Sequence, residues 1–374
     1  MDTPKLSIVI ATRNREYYCK RCIAVMLRYI SYDTQIVISD NSDSSDLLDF
    51  VNSSCDERIF YKHSDGALTM SENFNIALEC ASGEYICMIG DDDIVLPSIF
   101  KYISIADEKN IDCISQKKVI NYIWPIDSSN GILYLPPFSE QETIIPHQQR
   151  LRDFFKDGGC SNPRDYNLPS LYHGVIRKKT LDIAKKKYGR YINGLSPDSY
   201  LAVLLSQYIS TQIEVDIPFT IGGACVGSAT VSNMKGRHCG ELDICEQYNM
   251  NVKHGYIWSK YIPKYYSVQT IWAESSMQAV EDKELLSCFN IERLTAIAIA
   301  GNPSIVDLIL KKTAPYIKDR IKIVFYSRLL VDVSKILIRK MVNRLFPKHA
   351  HLEVIRNVGE IENVVNILNN KNLI

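Results

Sequence analysis

The sequence predicts an α/β fold built on a mostly parallel sheet, followed by a mostly helical extension. Two observations predict the sheet. Short apolar runs rich in Val and Ile, namely Leu6–Ala11, Gln35–Ser39, Arg58–Lys62 and Tyr85–Ile89, lie beside amphipathic segments of helical length. That alternation is the signature of strands covered by helices on both faces. Polar groups also follow every run: Thr12-Arg13-Asn14-Arg15, Asp40-Asn41-Ser42-Asp43, Asp65-Gly66 and Asp91-Asp92-Asp93. In parallel sheets ligands bind outside the carboxyl ends of the strands, so these groups are expected together on one edge.

The fourth strand carries the strongest chemical signal. Tyr85-Ile86-Cys87-Met88-Ile89 is apolar, Gly90 stands at the joint, and Pro97 follows the acidic triplet. Carboxylates at the end of a buried strand offer hard oxygen ligands to a divalent cation that also grips a diphosphate. A solvated acidic turn before a helix has the same local composition.

Taken together, these runs resemble the family 2 glycosyltransferases, which have the GT-A fold. Leu6-Ser7-Ile8-Val9-Ile10-Ala11-Thr12-Arg13-Asn14-Arg15 looks like the family's first strand and turn, and Val37-Ile38-Ser39-Asp40-Asn41-Ser42 like its second strand. Gly83-Glu84-Tyr85-Ile86, then Gly90-Asp91-Asp92-Asp93 and Pro97, is similar to the strand and DxD-type motif. The resemblance is specific over residues 5–117, weaker to residue 230 and absent beyond. It implies a nucleotide-sugar site of Thr12, Arg13, Asn14, Asp40, Asp65, Gly66, Asn73, Asp91 and Asp92, with Asp40 on the uridine. It also implies Mn²⁺ or Mg²⁺ held by Asp92 first, with Asp93 and Asp91 following. Two departures stand out. Gly90 occupies a position where many relatives carry aspartate, and Ser71-Glu72-Asn73 replaces a frequent Ala-Arg-Asn.

From Ile120 to Pro169 the chain is rich in Pro, Asp, Ser, Asn and Gly, with Trp124, Tyr134, Phe138 and Tyr166 spread through it. This composition predicts loops carrying rings that suit sugar faces, or rings that cover the sheet. Leu171–Lys178 reads as a further strand in which His173 is either a contact to acceptor or phosphate or a structural side chain. A basic helix is expected around Thr180–Tyr188.

Ser196-Pro197-Asp198 has the local logic of a helix start: Ser196 as N-cap, Pro197 at the first helical position and Asp198 in the first turn. The helix is expected to run to about Ser210. The resemblance implies a second role for Asp198, as the general base that takes the acceptor proton. Further on, Gly222-Gly223 precede Lys235, Arg237 and His238, a segment suited to closing over a diphosphate, with His238 as a further metal ligand.

The expected organisation is a GT-A domain over 1–235, with a nucleotide-sugar half at 1–117 and an acceptor half at 118–235, then a mostly helical extension over 236–374. With 374 residues and 46% hydrophobic content, the chain is long enough for one such domain of roughly 220–250 residues plus an appendage. In the extension, Leu330, Val333, Leu337, Met341 and Leu345 recur at helical spacing, while Lys335, Arg339, Lys340 and Arg344 take other faces. Such a helix suits packing on the protein's own core or on a second subunit, or peripheral contact with an anionic membrane, through 328–346.

Forty-three basic and forty-three acidic residues give zero net charge, which excludes a general attraction to nucleic acid. Eleven scattered cysteines suit a reducing cytosol, and Cys19-Lys20-Arg21-Cys22 has no second pair at metal-site spacing. The six-residue apolar run after Lys5 is too short for a signal-peptide core, and no stretch reaches the ~20 apolar residues of a spanning helix. The expected location is the cytoplasm, including the inner face of its membrane. The expected function is an inverting, metal-dependent transfer of sugar from a nucleotide sugar, most simply a UDP-sugar, to a glycan or lipid-linked acceptor in O-antigen or capsule synthesis. One rival is a sugar nucleotidyltransferase, which usually carries a Gly-rich loop where Ala11–Arg15 has no glycine. Another is a catalytically silent glycan-binding subunit.

Overall fold

The computed structural model describes residues 3–66, 68–126, 130–226, 239–318, 322–345 and 352–371. Strand β1 (Leu6–Thr12) shows why the apolar runs become strands. Leu6, Ile8 and Ile10 point into one core cluster and Val9 into another, so consecutive side chains serve opposite faces of one buried layer. Helix α1 (Glu16–Tyr29) covers the first face with Cys19, Cys22, Ile23 and Met26. Next come β2 (Thr34–Asp40), α2 (Asp46–Ser54), β3 (Ile59–His63), α3 (Met70–Cys80) and β4 (Tyr85–Ile89). Thr69 and Glu72 start α3 with a reciprocal capping box.

β1 pairs in parallel with β2 and β4, and β2 with β3. Thr12 stands opposite Asp40, and Asp40 opposite His63, so the carboxyl ends open on one edge as expected.

The chain continues through β5 (Ile94–Val95), α4 (Ile99–Glu108), β6 (Cys113–Gln116), β7 (Ile120–Ile123), β8 (Ile132–Leu135), β9 (Glu142–Ile144) and α5 (His147–Lys156). Then follow β10 (Val175–Arg177), α6 (Lys178–Tyr188), α7 (Pro197–Leu205), β11 (Gln212–Val215) and β12 (Thr220–Ala224). The eight-stranded sheet has the order β3-β2-β1-β4-β10-β6-β11-β9, with β10 antiparallel to both neighbours. This is the mixed, helix-flanked sheet expected of the GT-A arrangement. Short β13 (Cys239–Gly240) and β14 (Tyr266–Ser267) pair in the largely helical C-terminal region.

Residues 120–169 differ from the expected loops. They supply β7, β8, β9 and α5, and Tyr122 and Trp124 are fully buried in the core. Turn-forming residues dominated the composition, while the strands are short enough to fit between them. The helix beginning at Pro197 ends at Leu205, earlier than its apolar pattern suggests.

A second sheet, β15-β8-β7-β12-β5, draws on distant parts of the chain. Its outer strand β15 (Glu353–Arg356) pairs antiparallel with β8, and the helix Ile361–Asn370 returns to pack on α1. Arg21 forms ion pairs with Glu360 and Glu362, and the Tyr122 hydroxyl donates to the Gly359 carbonyl. Residues 353–370 therefore lie against the N-terminal half of the molecule.

Candidate functional site

Antiparallel pairing of β5 with β12 folds the turn after β4 against residues 223–225. The three aspartates, all buried, acquire different surroundings there. Asp93 is held on every side. Its Oδ1 accepts from the Gly223 backbone N–H at 2.6 Å, and its Oδ2 accepts from the Gly90 N–H at 2.7 Å and the Tyr172 hydroxyl at 2.9 Å. His173 Nε2 lies 3.2 Å from Oδ2, while its Nδ1 shares a 2.9 Å hydrogen bond with Thr220. Burial acts to raise the Asp93 pKa, but His173 and the two backbone N–H groups outweigh it and hold the carboxyl below its ordinary value.

Asp91 and Asp92 face the other way and share a cation. Arg15 Nη2 lies 3.0 Å from Asp91 Oδ1 and 2.8 Å from Asp92 Oδ2. Thr12 donates to Asp91 Oδ2 at 2.7 Å, and the Cys225 backbone N–H donates to Asp92 Oδ2 at 3.2 Å. Burial pushes Asp91 up to about 7, with Arg15 opposing and Asp92 adding to the rise. Asp92 is raised by burial and by Asp93. The guanidinium also donates to Cys225 Sγ at 2.9 Å, and burial pushes that thiol up to about 12.

Two glycines are required by this packing. A Cβ on Gly223 would stand 2.0 Å from the Asp92 carbonyl oxygen, an impossible approach to backbone. One on Gly90 would lie 2.9 Å from the Tyr172 hydroxyl. The space beside Gly90 is taken by the phenol supplied from residue 172.

The donor set fits a divalent cation completed by substrate. Asp91 Oδ1 is buried and touches Arg15 without an aligned hydrogen bond, leaving an acceptor on the cluster unsatisfied. Among the described residues no group of three or more His, Cys, Asp or Glu side chains could hold a metal by itself. One or two carboxylates plus phosphate oxygens and water is a usual way to bind Mg²⁺. His238, expected as a further ligand, and Lys235 and Arg237, expected to close over a diphosphate, lie outside the described residues.

The edge formed by the turns after β1, β2 and β3 is a hydrogen-bonded frame. Asp40 accepts from the Tyr61 hydroxyl at 2.8 Å and the Ser42 N–H at 2.9 Å. Asn73 accepts from the Ser39 hydroxyl at 2.6 Å and donates to the Thr12 carbonyl at 3.0 Å, tying α3 to β1 and β2. Asn14, at φ 54°, exchanges hydrogen bonds with Asp43, and its N–H donates to the Ser42 hydroxyl. Arg13 is exposed, and Asp65 is exposed beside His63 at 3.3 Å. The Gly66 carbonyl, at φ +83°, accepts from Asn41.

Asp198 is exposed at the start of α7, while its neighbours Ser196, Pro197 and Ser199 are buried. Ser196 stands at the N-cap, yet its hydroxyl donates to the Asp198 carboxylate instead of capping backbone. Asp198 acts electrostatically on both Tyr172 and Arg164, and those two side chains also feel Asp93. Arg164 donates to the Tyr172 carbonyl at 2.7 Å.

The loop leading to Asp198 is clamped along its backbone. Asn75 accepts from the N–H groups of Tyr191 and Ile192 at 2.9 and 3.0 Å and donates to the Ile192 carbonyl at 2.9 Å. Ser71 donates to the Gly194 carbonyl at 2.5 Å, Gln247 donates to the Leu195 carbonyl, and the Ser196 N–H donates to Ser275 at 2.8 Å. Gln247 and Ser275 belong to the C-terminal helical region, which thus helps to hold the loop.

The sequence reading took Arg15 only as the end of the Thr12–Arg15 turn against the nucleoside and Gly223 only as a source of loop mobility, and it gave Tyr172, Thr220 and Cys225 no role of their own. For Arg15 a signal existed in the turn itself. A left-handed Asn14 sends residue 13 outward and residue 15 inward. The partners from 172 and 220–225 come through strand pairing and left no local mark.

Residues 7–140 match the family model described as glycosyl transferase family 2. The chain is 30% identical over 96 residues to a GalNAc(5)-diNAcBac-PP-undecaprenol beta-1,3-glucosyltransferase of Campylobacter jejuni, covering 25% of this chain and 31% of that protein. It is 28% identical over 141 residues to an uncharacterized glycosyltransferase of Methanocaldococcus jannaschii, covering 36% and 46%. The chain thus spans less than half the length of these curated relatives. Among solved structures, Staphylococcus aureus TarS 1–349 in complex with UDP-GlcNAc aligns at TM-score 0.47 and 12% identity, covering 91% of this chain and 92% of that one. The mannosyltransferase PcManGT of Pyrobaculum calidifontis, in complex with GDP-Man and Mn²⁺, aligns at TM-score 0.39 and 10% identity, covering 93% and 89%.

Proposed function

We propose that this protein is an inverting glycosyltransferase that moves a sugar from a nucleotide sugar, most simply a UDP-sugar, to a glycan or lipid-linked acceptor in O-antigen or capsule synthesis. The observation that carries the reading is the buried Asp91–Asp93 cluster at the carboxyl edge of a domain that matches the family 2 model, with exposed Asp198 acting electrostatically on Tyr172, which donates to Asp93. The match to an enzyme named for an undecaprenol-linked substrate supports the acceptor class.

Each group has a distinct task. Exposed Arg13 and Asp65 lie on the nucleoside side, over the frame made by Thr12, Asn14, Asp40, Gly66 and Asn73. Asp92, with Asp91, would hold Mn²⁺ or Mg²⁺. When bound, that cation supplies Lewis-acid neutralisation of charge on the departing diphosphate. Asp93 fixes the turn by gripping Gly90, Gly223, Tyr172 and His173. Asp198, held by Ser196, takes the proton of the acceptor hydroxyl as it attacks the anomeric carbon from the face opposite the nucleotide.

A second reading follows from Arg15. A guanidinium already bridges Asp91 and Asp92, and it would neutralise a diphosphate without a metal. One experiment separates the readings: a panel of nucleotide sugars with Mn²⁺, Mg²⁺ or chelator, scored by thermal shift and by slow donor hydrolysis. Metal-dependent hydrolysis of one donor supports the first reading. Full hydrolysis in chelator supports the second, and absence of donor binding across the panel removes both.

A further inference from the structure

The helix Lys322–Leu345 has two apolar faces, and the protein covers one of them. Phe325 and Leu329 are buried, with Val333 and Ile336 beside them, against Ile291, Ala296 and Ile299 of the helix Ile291–Gly301. Lys340 donates to the Ala300 carbonyl at 2.7 Å, and Asp332 lies 3.7 Å from Arg293. The helix's one acid is therefore committed inward.

The outer face is apolar and exposed. Ile323 (84% exposed), Leu330 (69%), Met341, Ile338, Val331 and Leu337 lie on it. At 100° per residue they fall within an arc of about 120° in which the polar positions are serines, and the helix is about 36 Å long. Arg328, Lys335 and Arg339 line one border of that arc, all exposed. The stripe suggested by the sequence is split: Val333 packs inward, while Leu330, Leu337 and Met341 face out.

We infer that this face lies on an anionic lipid bilayer, with the apolar residues at the headgroup boundary and the basic border against the phosphates. An interfacial helix needs an apolar face edged by Lys and Arg, and this one has both. Charge decides between a bilayer and a second copy of the chain. Two copies meeting face to face would offer the basic borders no acid, because Asp332 is already paired with Arg293, whereas an anionic surface complements them. No described single helix is long and apolar enough to cross a membrane, so the contact is parallel to the surface. The inference does not rest on the proposed transfer reaction.

The test uses the full chain and sedimentation with vesicles of phosphatidylcholine, alone or with about one-third phosphatidylglycerol. Each near-surface cation is expected to give about a five-fold gain in partitioning, so Arg328→Glu, Lys335→Glu and Arg339→Glu together should lower binding by about 100-fold or more. Raising salt from about 50 mM to about 500 mM should release the parent protein. Leu330→Ser, Ile338→Ser and Met341→Ser together should also lower binding. All six positions are exposed, and unchanged melting temperatures would verify that the variants fold. Equal binding of parent and charge-reversed protein, or absence of binding to anionic vesicles, overturns the proposal. So does a parent dimer in light scattering that the serine variant converts to monomer, since the face would then be an interface between copies.

Discussion

Asp92 and Asp93 are adjacent carboxylates, and replacing each by asparagine should produce opposite phenotypes. Asp93→Asn removes a buried charge that accepts from two backbone N–H groups and a phenol and faces His173. The asparagine oxygen can serve one side of this arrangement, but its NH₂ must then point at an N–H donor. Hydrogen bonds to a charged group contribute ~1.5–3 kcal/mol each, and breaking one partner of a buried pair costs ~3–5 kcal/mol. The expected loss is therefore about 3–5 kcal/mol, or a fall in melting temperature of about 4–6 °C for a chain of this length. The lowered Asp93 pKa adds a pH signature. Its contribution is present above the ordinary carboxylate range and is lost as pH falls toward the folded-state value. Asp92→Asn loses the contact to Arg15 but also removes a charge that burial and Asp93 disfavour, so it should leave the melting temperature nearly unchanged and abolish transfer. Melting by circular dichroism and turnover on the same preparations measure both. An Asp93→Asn protein that melts within a degree or two of the parent, yet is as inactive as Asp92→Asn, would refute the scaffold role.

Three further outcomes are expected. Asp198→Asn should lower turnover ~10²–10⁴-fold with donor affinity and melting temperature little changed, measured by steady-state kinetics and thermal shift. Asn75→Ala removes three hydrogen bonds from the loop that leads to Asp198, so turnover should fall about ten-fold at temperatures well below melting while the donor KM holds, at a stability cost of about 2–3 kcal/mol. Glu274, hydrogen-bonded by Tyr256, Gln278 and the Ser259 N–H, is pushed by burial from 4.5 up to about 7. Its contribution is full below the unfolded value and is lost as pH rises toward about 7, on the order of 3 kcal/mol, so Glu274→Gln should flatten that slope in denaturant titrations.

The parallel half of the fold was legible because β1, β2 and β4 are buried on both faces and read as largely apolar runs. The clustering of their polar ends followed from strand direction alone. What escaped was set by pairing across long stretches of sequence. Nothing near Gly223 announces that its backbone N–H meets Asp93, and nothing in Glu353–Arg356 announces a partner at Ile132–Leu135. Aromatic residues misled for a related reason. Trp124 sits in a turn-rich stretch, but its ring fills the core and its Nε1–H donates to the Asp92 carbonyl at 3.2 Å.

The pairing of β15 with β8 also bears on how the protein is made. During synthesis the edge of β8 is exposed from the time residue 135 leaves the ribosome until residue 356 follows. At 5–20 residues per second, those roughly 220 residues take on the order of 10–40 s. An unpaired strand edge is a template for another chain through that interval. Long-range closure of this kind is also slow to form. A nascent chain stalled within residues 136–352 would thus carry an open edge beside its own catalytic half, which is where chaperone dependence and aggregation of this protein should concentrate.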